Sequence, residues 1–160
     1  MTIYFINWHF LYFNYRLIGD EFSRVHIPTV EDSYQTHVTT EDESYDMSII
    51  DTSGTMSFPG MRRLNISNAD VIIIVFSLLD LKTFENIPST VEEVRNVSGC
   101  ADKKIIIVGN KSDQRKRVIK MEVADATVCI DWGLEYVETS AMDDINVQSL
   151  FVLAANQMLI

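Results

Sequence analysis

The chain has few of the residues that metal, redox and nucleic-acid sites require. Its two cysteines, Cys100 and Cys129, show no Cys-x-x-Cys or Cys/His spacing, and its three histidines are scattered. This argues against a metal–thiolate or redox centre and fits a reducing cytosol. The formal net charge is −10, whereas nucleic-acid binding needs clustered lysine and arginine. We predict a cytoplasmic protein that binds no nucleic acid, and we expect the short basic runs 62–63 and 114–117 to be solvated.

Signals for membrane insertion or lipidation are likewise missing. Residues 1–15 are rich in aromatic side chains, but a bilayer span needs roughly 20 apolar residues. The segment has neither a basic leader nor a small-residue cleavage site, so a signal peptide is not expected. We interpret it as a buried strand or helix, with a membrane-interface segment as the alternative. The C-terminus has no lipidation cysteine, so we expect no lipid anchor, and we expect a monomer.

Apolar periodicity predicts strands that alternate with helices. Continuous β-branched runs at Val71–Ser77 and Lys104–Gly109 predict strands that are covered on both faces. Between them, Pro88 precedes a valine-rich helical pattern. A second helix, a strand at 134–138 after Gly133 and a last helix follow. The apolar positions of these two helices are Met121, Ala124 and Val128, and Val147, Leu150, Phe151, Ala154 and Met158.

An earlier pair of segments, 33–39 and 45–50, flanks the acidic turn 41–43 and predicts a β-hairpin. The alternation that follows is typical of α/β domains with right-handed crossovers. The predicted fold is a three-layer α/β domain with a mostly parallel central sheet and one antiparallel edge hairpin. Ligands of such sheets bind at the carboxyl ends of the strands, and polar boxes follow three of the predicted strands.

The most informative box is Asn110-Lys111-Ser112-Asp113, which directly follows a buried strand. The Asp113 carboxylate can accept hydrogen bonds from both the ring N–H and the exocyclic amine of guanine, a pair that adenine does not offer. The Lys111 stem can lie along the base, and Asn110 can tie neighbouring loops together. The alternative is a polar turn that closes a strand, where the same residue types are common.

Three weaker boxes suit other parts of a nucleotide. After the predicted strand 47–50, Asp51 can hold Mg²⁺ through water, and the Gly54 N–H can approach a phosphate oxygen. The N–H groups of Ser140 and Ala141 can meet a guanine carbonyl, or the box can be a helix N-cap. The Thr29 hydroxyl can ligate Mg²⁺. The alternatives for the first and last boxes are an ordinary strand-to-loop turn and a loop that leads into the hairpin.

In order and spacing these boxes resemble the Ras family of small GTPases, over roughly Leu17 to Ile160. Residues 51–67 most resemble the Di-Ras and Rhes-like branches. We expect a divergent aromatic segment at 1–16 and a Ras-like G domain at 17–160 that is truncated at both ends. The matching segments are IPTVEDSY (27–34), DTSG (51–54), FPGMRRLNIS (58–67), VIIIVFS (71–77), GNKSD (109–113) and ETSA (138–141).

The resemblance implies a signalling switch that binds GTP or GDP with Mg²⁺. Asn110, Lys111 and Asp113 would hold guanine, Ser140 and Ala141 would close over it, and Phe22 would pack beside the nucleoside. Thr29 and Asp51 would serve the Mg²⁺, and the Gly54 N–H would meet the terminal phosphate. Effectors or regulators would bind through 26–34 and 54–65. The effector-facing residues would be His26, Ile27, Pro28, Val30, Glu31, Asp32, Ser33 and Tyr34.

Two departures from the family pattern bear on activity. Counting back from Thr29 places the phosphate loop at Tyr4–Leu11, which reads YFINWHFL and lacks the glycines, lysine and serine of the motif. Thr55 stands where the family often has a glutamine that orients the attacking water, so hydrolysis is expected to be slow, and we name no catalytic residue. The alternatives are a nucleotide-poor interaction module and a partial or misjoined gene product.

Overall fold

The computed structural model describes residues 1–7, 31–39, 44–53 and 58–157. Six strands and five α-helices lie in these ranges. The strands are β1 (Thr2–Asn7), β2 (Glu31–Thr39), β3 (Ser44–Ser53), β4 (Val71–Ser77), β5 (Lys104–Asn110) and β6 (Glu135–Thr139). The helices are α1 (Pro59–Asn68), α2 (Leu81–Glu85), α3 (Ile87–Asn96), α4 (Met121–Asp125) and α5 (Val147–Asn156), and a π-helical turn, Ala126–Asp131, continues α4.

The six strands form one sheet in the order β2-β3-β1-β4-β5-β6. The β2–β3 pair at one edge is antiparallel, and the other four pairs are parallel. The predicted sheet, mostly parallel with one antiparallel edge hairpin, is therefore confirmed. The predicted acidic turn of the hairpin, 41–43, lies outside the described residues.

The aromatic start of the chain forms the centre of this sheet. β1 pairs with β3 on one side and with β4 on the other, and Ile3 to Ile6 are all buried. Because apolar side chains point to both faces, a central strand is the structure that buries all of them. The placement of the phosphate loop at Tyr4–Leu11 is wrong in its first part, since Tyr4–Asn7 is strand. The rest of that window lies outside the described residues.

Helices cover both faces of the sheet and create two cores. On one face, α5 packs Leu150 and Phe151 against Ile3, Phe5 and their neighbours. On the other face, α1 to α4 cover Tyr4, Ile6 and the alternate residues of β4 and β5. Within the described ranges, none of the helices has the length and apolar character needed to cross a bilayer. The three layers follow from strands that are apolar on both faces.

The predicted helical faces hold at most positions. Ala124, Val128, Val147, Leu150, Phe151 and Ala154 are buried as predicted, and Met158 lies outside the described residues. Met121 was wrongly assigned to the core, because it is 55% exposed. It is the first residue of α4, and the buried positions Ala124 and Val128 lie further along the segment. The helical period gives the face on which a residue lies, but a residue at the end of a helix can stay exposed on that face.

Candidate functional site

The carboxyl ends of β5 and β6 bring the Asn-Lys-x-Asp and Ser-Ala boxes together. Asn110 is the last residue of β5, and it pairs in register with Thr139, the last residue of β6. Since these neighbouring strands are parallel, both boxes leave the sheet at the same edge. The Ser112 N–H then donates to the Thr139 carbonyl at 3.0 Å, which joins the two loops directly after the strands.

Asn110 links the two loops through its side chain, as the sequence predicts. Its side chain is buried, and its Oδ1 accepts hydrogen bonds from the Ala141 N–H at 3.3 Å and from Thr139 Oγ1 at 3.4 Å. The next residue, Lys111, has a φ of 71°, which is uncommon for a residue with a side chain. This left-handed turn bends the chain back over the strand ends, so that Asp113 reaches Ser140.

Asp113 is held as an ionised acceptor. Its Oδ1 accepts from Ser140 Oγ at 2.7 Å, and its Oδ2 accepts from the adjacent Gln114 amide. Burial by itself would raise the pKa of Asp113, but the hydrogen bonds from Ser140 and Gln114 and the charge of Lys111 outweigh it and lower the pKa below its usual value. A carboxylate of this kind can accept from two N–H donors on the edge of a base. Gln114, which the sequence did not single out, occupies one of the two acceptor sites of Oδ2 and leaves the other for a base.

Hydrogen bonds within the Ser140 loop fix its conformation. The Ser140 hydroxyl accepts from the Asp143 N–H at 3.1 Å while it donates to Asp113, so its orientation is fixed. Ser140 and Ala141 are both buried, and Asn146 Nδ2 donates to the Glu138 carbonyl at 2.8 Å. These contacts form a rigid rim, Glu138–Ala141, beside the Asp113 carboxylate and fix the position of the two boxes relative to each other.

A half-buried brace that the sequence did not reveal supports this rim. The Arg117 guanidinium forms a two-point ion pair with Glu138: Nη1 donates to Oε2 at 3.0 Å, and Nη2 donates to Oε1. Arg117 Nε donates to the Ile119 carbonyl at 2.7 Å. Tyr136 Oη donates to Glu138 Oε1 at 2.9 Å. The Glu138 ion pair raises the pKa of Arg117, while burial and the nearby Glu138 charge raise that of Tyr136. Run 114–117 is therefore not wholly solvated.

Removing the arginine of this brace should destabilise the fold. In Arg117→Ala, the Glu138 side chain, which is 11% exposed, loses its cation. We expect the free energy of unfolding to fall by about 1–2 kcal/mol, less than for a fully buried pair because water still reaches Arg117. Urea unfolding measures this change. Arg115→Ala removes an exposed arginine of the same run and should change stability by less than about 0.5 kcal/mol. Equal losses in both variants would contradict the brace.

The predicted Mg²⁺ and phosphate residues are described only in part. Asp51 is buried and lies within β3, near its carboxyl end, whereas the sequence placed it after the strand. Two strands separate β3 from β5, and the register places Asp51 level with Ile106, four residues before Asn110. Strand spacing and rise together therefore put Asp51 and Asn110 roughly 20 Å apart. A buried carboxylate at this edge fits Mg²⁺ chemistry. The predicted site residues Phe22, Thr29 and Gly54, together with Thr55, lie outside the described residues.

Part of the predicted partner surface is an edge strand. The backbone of Glu31–Tyr34 begins β2, which has β3 on one side and no neighbour on the other in the described sheet. Ser33 is exposed and Tyr34 half-buried. His26, Ile27, Pro28 and Val30 lie outside the described residues. In the second predicted surface, 54–65, the described part is the exposed start of α1, where Phe58, Met61 and Leu64 face outward.

A mostly parallel sheet with helices on both faces, and with these two boxes at neighbouring strand ends, has the architecture of the P-loop GTPase class. The Ras family model matches residues 12–160. Human GTP-binding protein Di-Ras1 is 32% identical over 137 residues, which cover 85% of the chain and 69% of Di-Ras1. Mouse Di-Ras2 is 32% identical over 138 residues, with the same coverage of 85% and 69%.

Human GTP-binding protein Rhes is also similar, with 32% identity over 146 residues. The match covers 85% of the chain and 55% of Rhes, so the chain spans about half the length of that relative. The chain belongs to the Ras family of small GTPases. This confirms the resemblance to the family and to its Di-Ras and Rhes-like branches.

Proposed function

We propose that the chain is a guanine-nucleotide-binding signalling switch whose base recognition is retained, whose phosphate recognition is weak and whose hydrolysis is slow. The observation that carries the proposal is the hydrogen bond from Ser140 to the Asp113 carboxylate, at 2.7 Å. It joins the box that selects guanine to the box that closes over it. Asn110 and Lys111 complete the base site, and Ala141 offers its N–H beside it.

The weak phosphate site follows from composition. The chain has no lysine before Lys82, and Gly19 is the only glycine among its first 53 residues. No alignment of the early segment therefore supplies the glycines and lysine of a phosphate loop, whose N–H groups and charge normally cradle the phosphates. Losing about four charge-assisted hydrogen bonds at roughly 1.5–3 kcal/mol each removes about 6–12 kcal/mol. Affinity should fall by roughly four to eight decades.

Slow hydrolysis follows from Thr55. A glutamine at this position both accepts from the attacking water and donates to phosphate, and threonine lacks that carboxamide. In this proposal Asp51 and Thr29 serve the Mg²⁺, and the Gly54 N–H meets the terminal phosphate. The ion contributes charge neutralisation on the phosphates when it is bound. Effectors or regulators would bind along the 26–34 edge and the 54–65 surface.

A second candidate function is a nucleotide-poor interaction module. The missing lysine and glycines favour it, because base contacts without phosphate contacts leave little affinity. In this alternative, β2 and the exposed start of α1 bind protein partners without any nucleotide. The two candidates differ in a quantity that can be measured directly, the affinity for guanine nucleotide.

Titration of a fluorescent GTP analogue with Mg²⁺ separates the two candidates, using protein purified without added nucleotide. We expect saturable binding that unlabelled GDP displaces and that ATP does not displace at 100-fold higher concentration. Sub-micromolar affinity would reject the nucleotide-poor module. Absence of binding at high micromolar concentration would reject the switch. Where binding is found, single-turnover release of phosphate from GTP measures the expected slow hydrolysis.

A further inference from the structure

Helix α1 has an unusual polar residue on its inner face. Ile66 is fully buried against the second core, and Arg62 lies one turn earlier on the same face. The Arg62 side chain is only 14% exposed, although the sequence predicted a solvated basic pair at 62–63. A buried arginine stem needs a partner for its charge, because an isolated charge is costly to remove from water.

The partner is Glu93 on α3. Arg62 Nε donates to Glu93 Oε1 at 2.6 Å, and Nη2 donates to Oε2 at 2.8 Å, so both carboxylate oxygens are used. The two residues are 31 positions apart, and the pair therefore joins two helices that are separated by β4 and α2. Two-point geometry of this kind orients as well as attracts, which a single surface contact does not.

The C-terminal half of α1 is secured by other contacts. Lys103 Nζ donates to the Ser67 carbonyl at 2.9 Å and also to the Ala69 carbonyl, just beyond the helix end. Ile66 adds its buried side chain. The N-terminal half differs, since Phe58 provides no side-chain cap and Pro59, Gly60 and Met61 are exposed. The contact that holds this N-terminal half to the rest of the protein is the Arg62–Glu93 pair.

We propose that the Arg62–Glu93 pair is a latch that holds the N-terminal half of α1 against α3. Both partners belong to helices on one face of the sheet, and neither belongs to the loops that carry the base-recognition boxes. The latch therefore works without a ligand. It keeps Met61 and Leu64 on the outward side of a formed helix, next to the exposed N-cap residue Phe58. The inference does not depend on nucleotide binding and goes beyond the proposed function.

Hydrogen exchange with mass spectrometry tests the latch on the full chain, after removal of any nucleotide by chelation and phosphatase. We expect Arg62→Glu to raise amide exchange in 59–64 about five-fold, with little change in 65–68. Arg63→Glu is the matched control, because it makes the same charge change on an exposed neighbour of the same helix. We expect its exchange to stay within about two-fold of the wild type.

The double variant Arg62→Glu/Glu93→Arg restores the opposite charges in reverse, and its exchange should return to within about two-fold of the wild type. Arg62→Gln, which keeps most of the stem and removes the charge, takes the place of Arg62→Glu if the latter does not fold. The latch is rejected if the Arg62 variant exchanges no faster than Arg63→Glu. It is also rejected if the charge-swapped chain stays as unprotected as the single variant.

Discussion

Replacing Asp113 with asparagine is expected to lower the affinity for guanine nucleotides by about 100-fold and to move the preference to xanthine nucleotides. In the proposed base site the Asp113 carboxylate would accept from two guanine N–H donors, whereas an asparagine amide would accept from one and point its own N–H₂ at the other. Charge-assisted hydrogen bonds contribute roughly 1.5–3 kcal/mol each, so a net loss of about 3 kcal/mol corresponds to two decades. Xanthine has a carbonyl in place of the amine, and that carbonyl can accept from the amide that the substitution introduces.

The change leaves the loop intact, which makes the measurement clear. The Ser140 hydroxyl donates to Asp113 Oδ1, and an amide carbonyl accepts the same hydrogen bond. We expect the melting temperature to change little, while competition binding reports the ratio of guanosine to xanthosine diphosphate affinities. Asp144→Asn is the matched control, because it removes one exposed negative charge nearby at a left-handed position that asparagine tolerates. An unchanged ratio in Asp113→Asn would show that the base does not bind at Asp113.

The meeting of the Asn-Lys-x-Asp and Ser-Ala boxes could be predicted because it depends on strand order. Once Lys104–Gly109 and 134–138 are recognised as neighbouring parallel strands, the residues that follow them must meet at one edge. The contacts from Asn110 to Ala141 and from Asp113 to Ser140 agree with that expectation. Gln114 escaped prediction because its contact depends on a turn set by the positive φ of Lys111, and a sequence pattern carries no such dihedral.

The ion pairs could not be predicted, for a different physical reason. Apolar periodicity reports which face of an element is buried, but it does not say which residue lies opposite. Arg62 on α1 pairs with Glu93 on α3, and Arg117 in the loop after β5 pairs with Glu138 in β6, at separations of 31 and 21 residues. In the sequence both arginines belong to short basic runs, which are more often solvated. Only the packing of the helices and strand ends shows that each one is paired.

The early strand shows the limit of alignment by counting. The spacing from Thr29 placed a phosphate loop at Tyr4–Leu11, yet Tyr4–Asn7 forms the central strand. Its residues Ile3 to Ile6 are all buried, with side chains in both cores, as in a central strand of a parallel sheet. The burial of these residues was therefore a better guide to their structure than the spacing from Thr29. The strand agrees with the interpretation of residues 1–15 as a buried element, for the part of that segment that is described.

Substituting Gly109 by alanine is expected to lower the free energy of unfolding by about 3 kcal/mol. A Cβ atom at this position would lie 2.6 Å from Tyr136 Oη and 3.1 Å from side-chain atoms of Leu78 and Phe76. Tyr136 cannot retreat easily, because its hydroxyl is bonded to Glu138 and its ring stacks on Phe76 with centroids 6.2 Å apart. Overpacking of a filled core typically costs about 1–3 kcal/mol. Thermal and urea unfolding measure the loss.

A second substitution, at Tyr136, tests whether the Tyr136 hydroxyl is the source of this clash. Tyr136→Phe removes the oxygen nearest to the new methyl group and by itself should cost about 1 kcal/mol for the lost hydrogen bond. In Gly109→Ala/Tyr136→Phe the two costs should therefore not add, with a favourable coupling of about 1–2 kcal/mol. Gly60→Ala is the control, since nothing lies within 4 Å of its added methyl group and α1 should gain a few tenths of a kcal/mol. Additive costs in the double variant would place the strain elsewhere. Relief by Tyr136→Phe would locate the strain at the Tyr136 hydroxyl, in the brace beside the proposed base site.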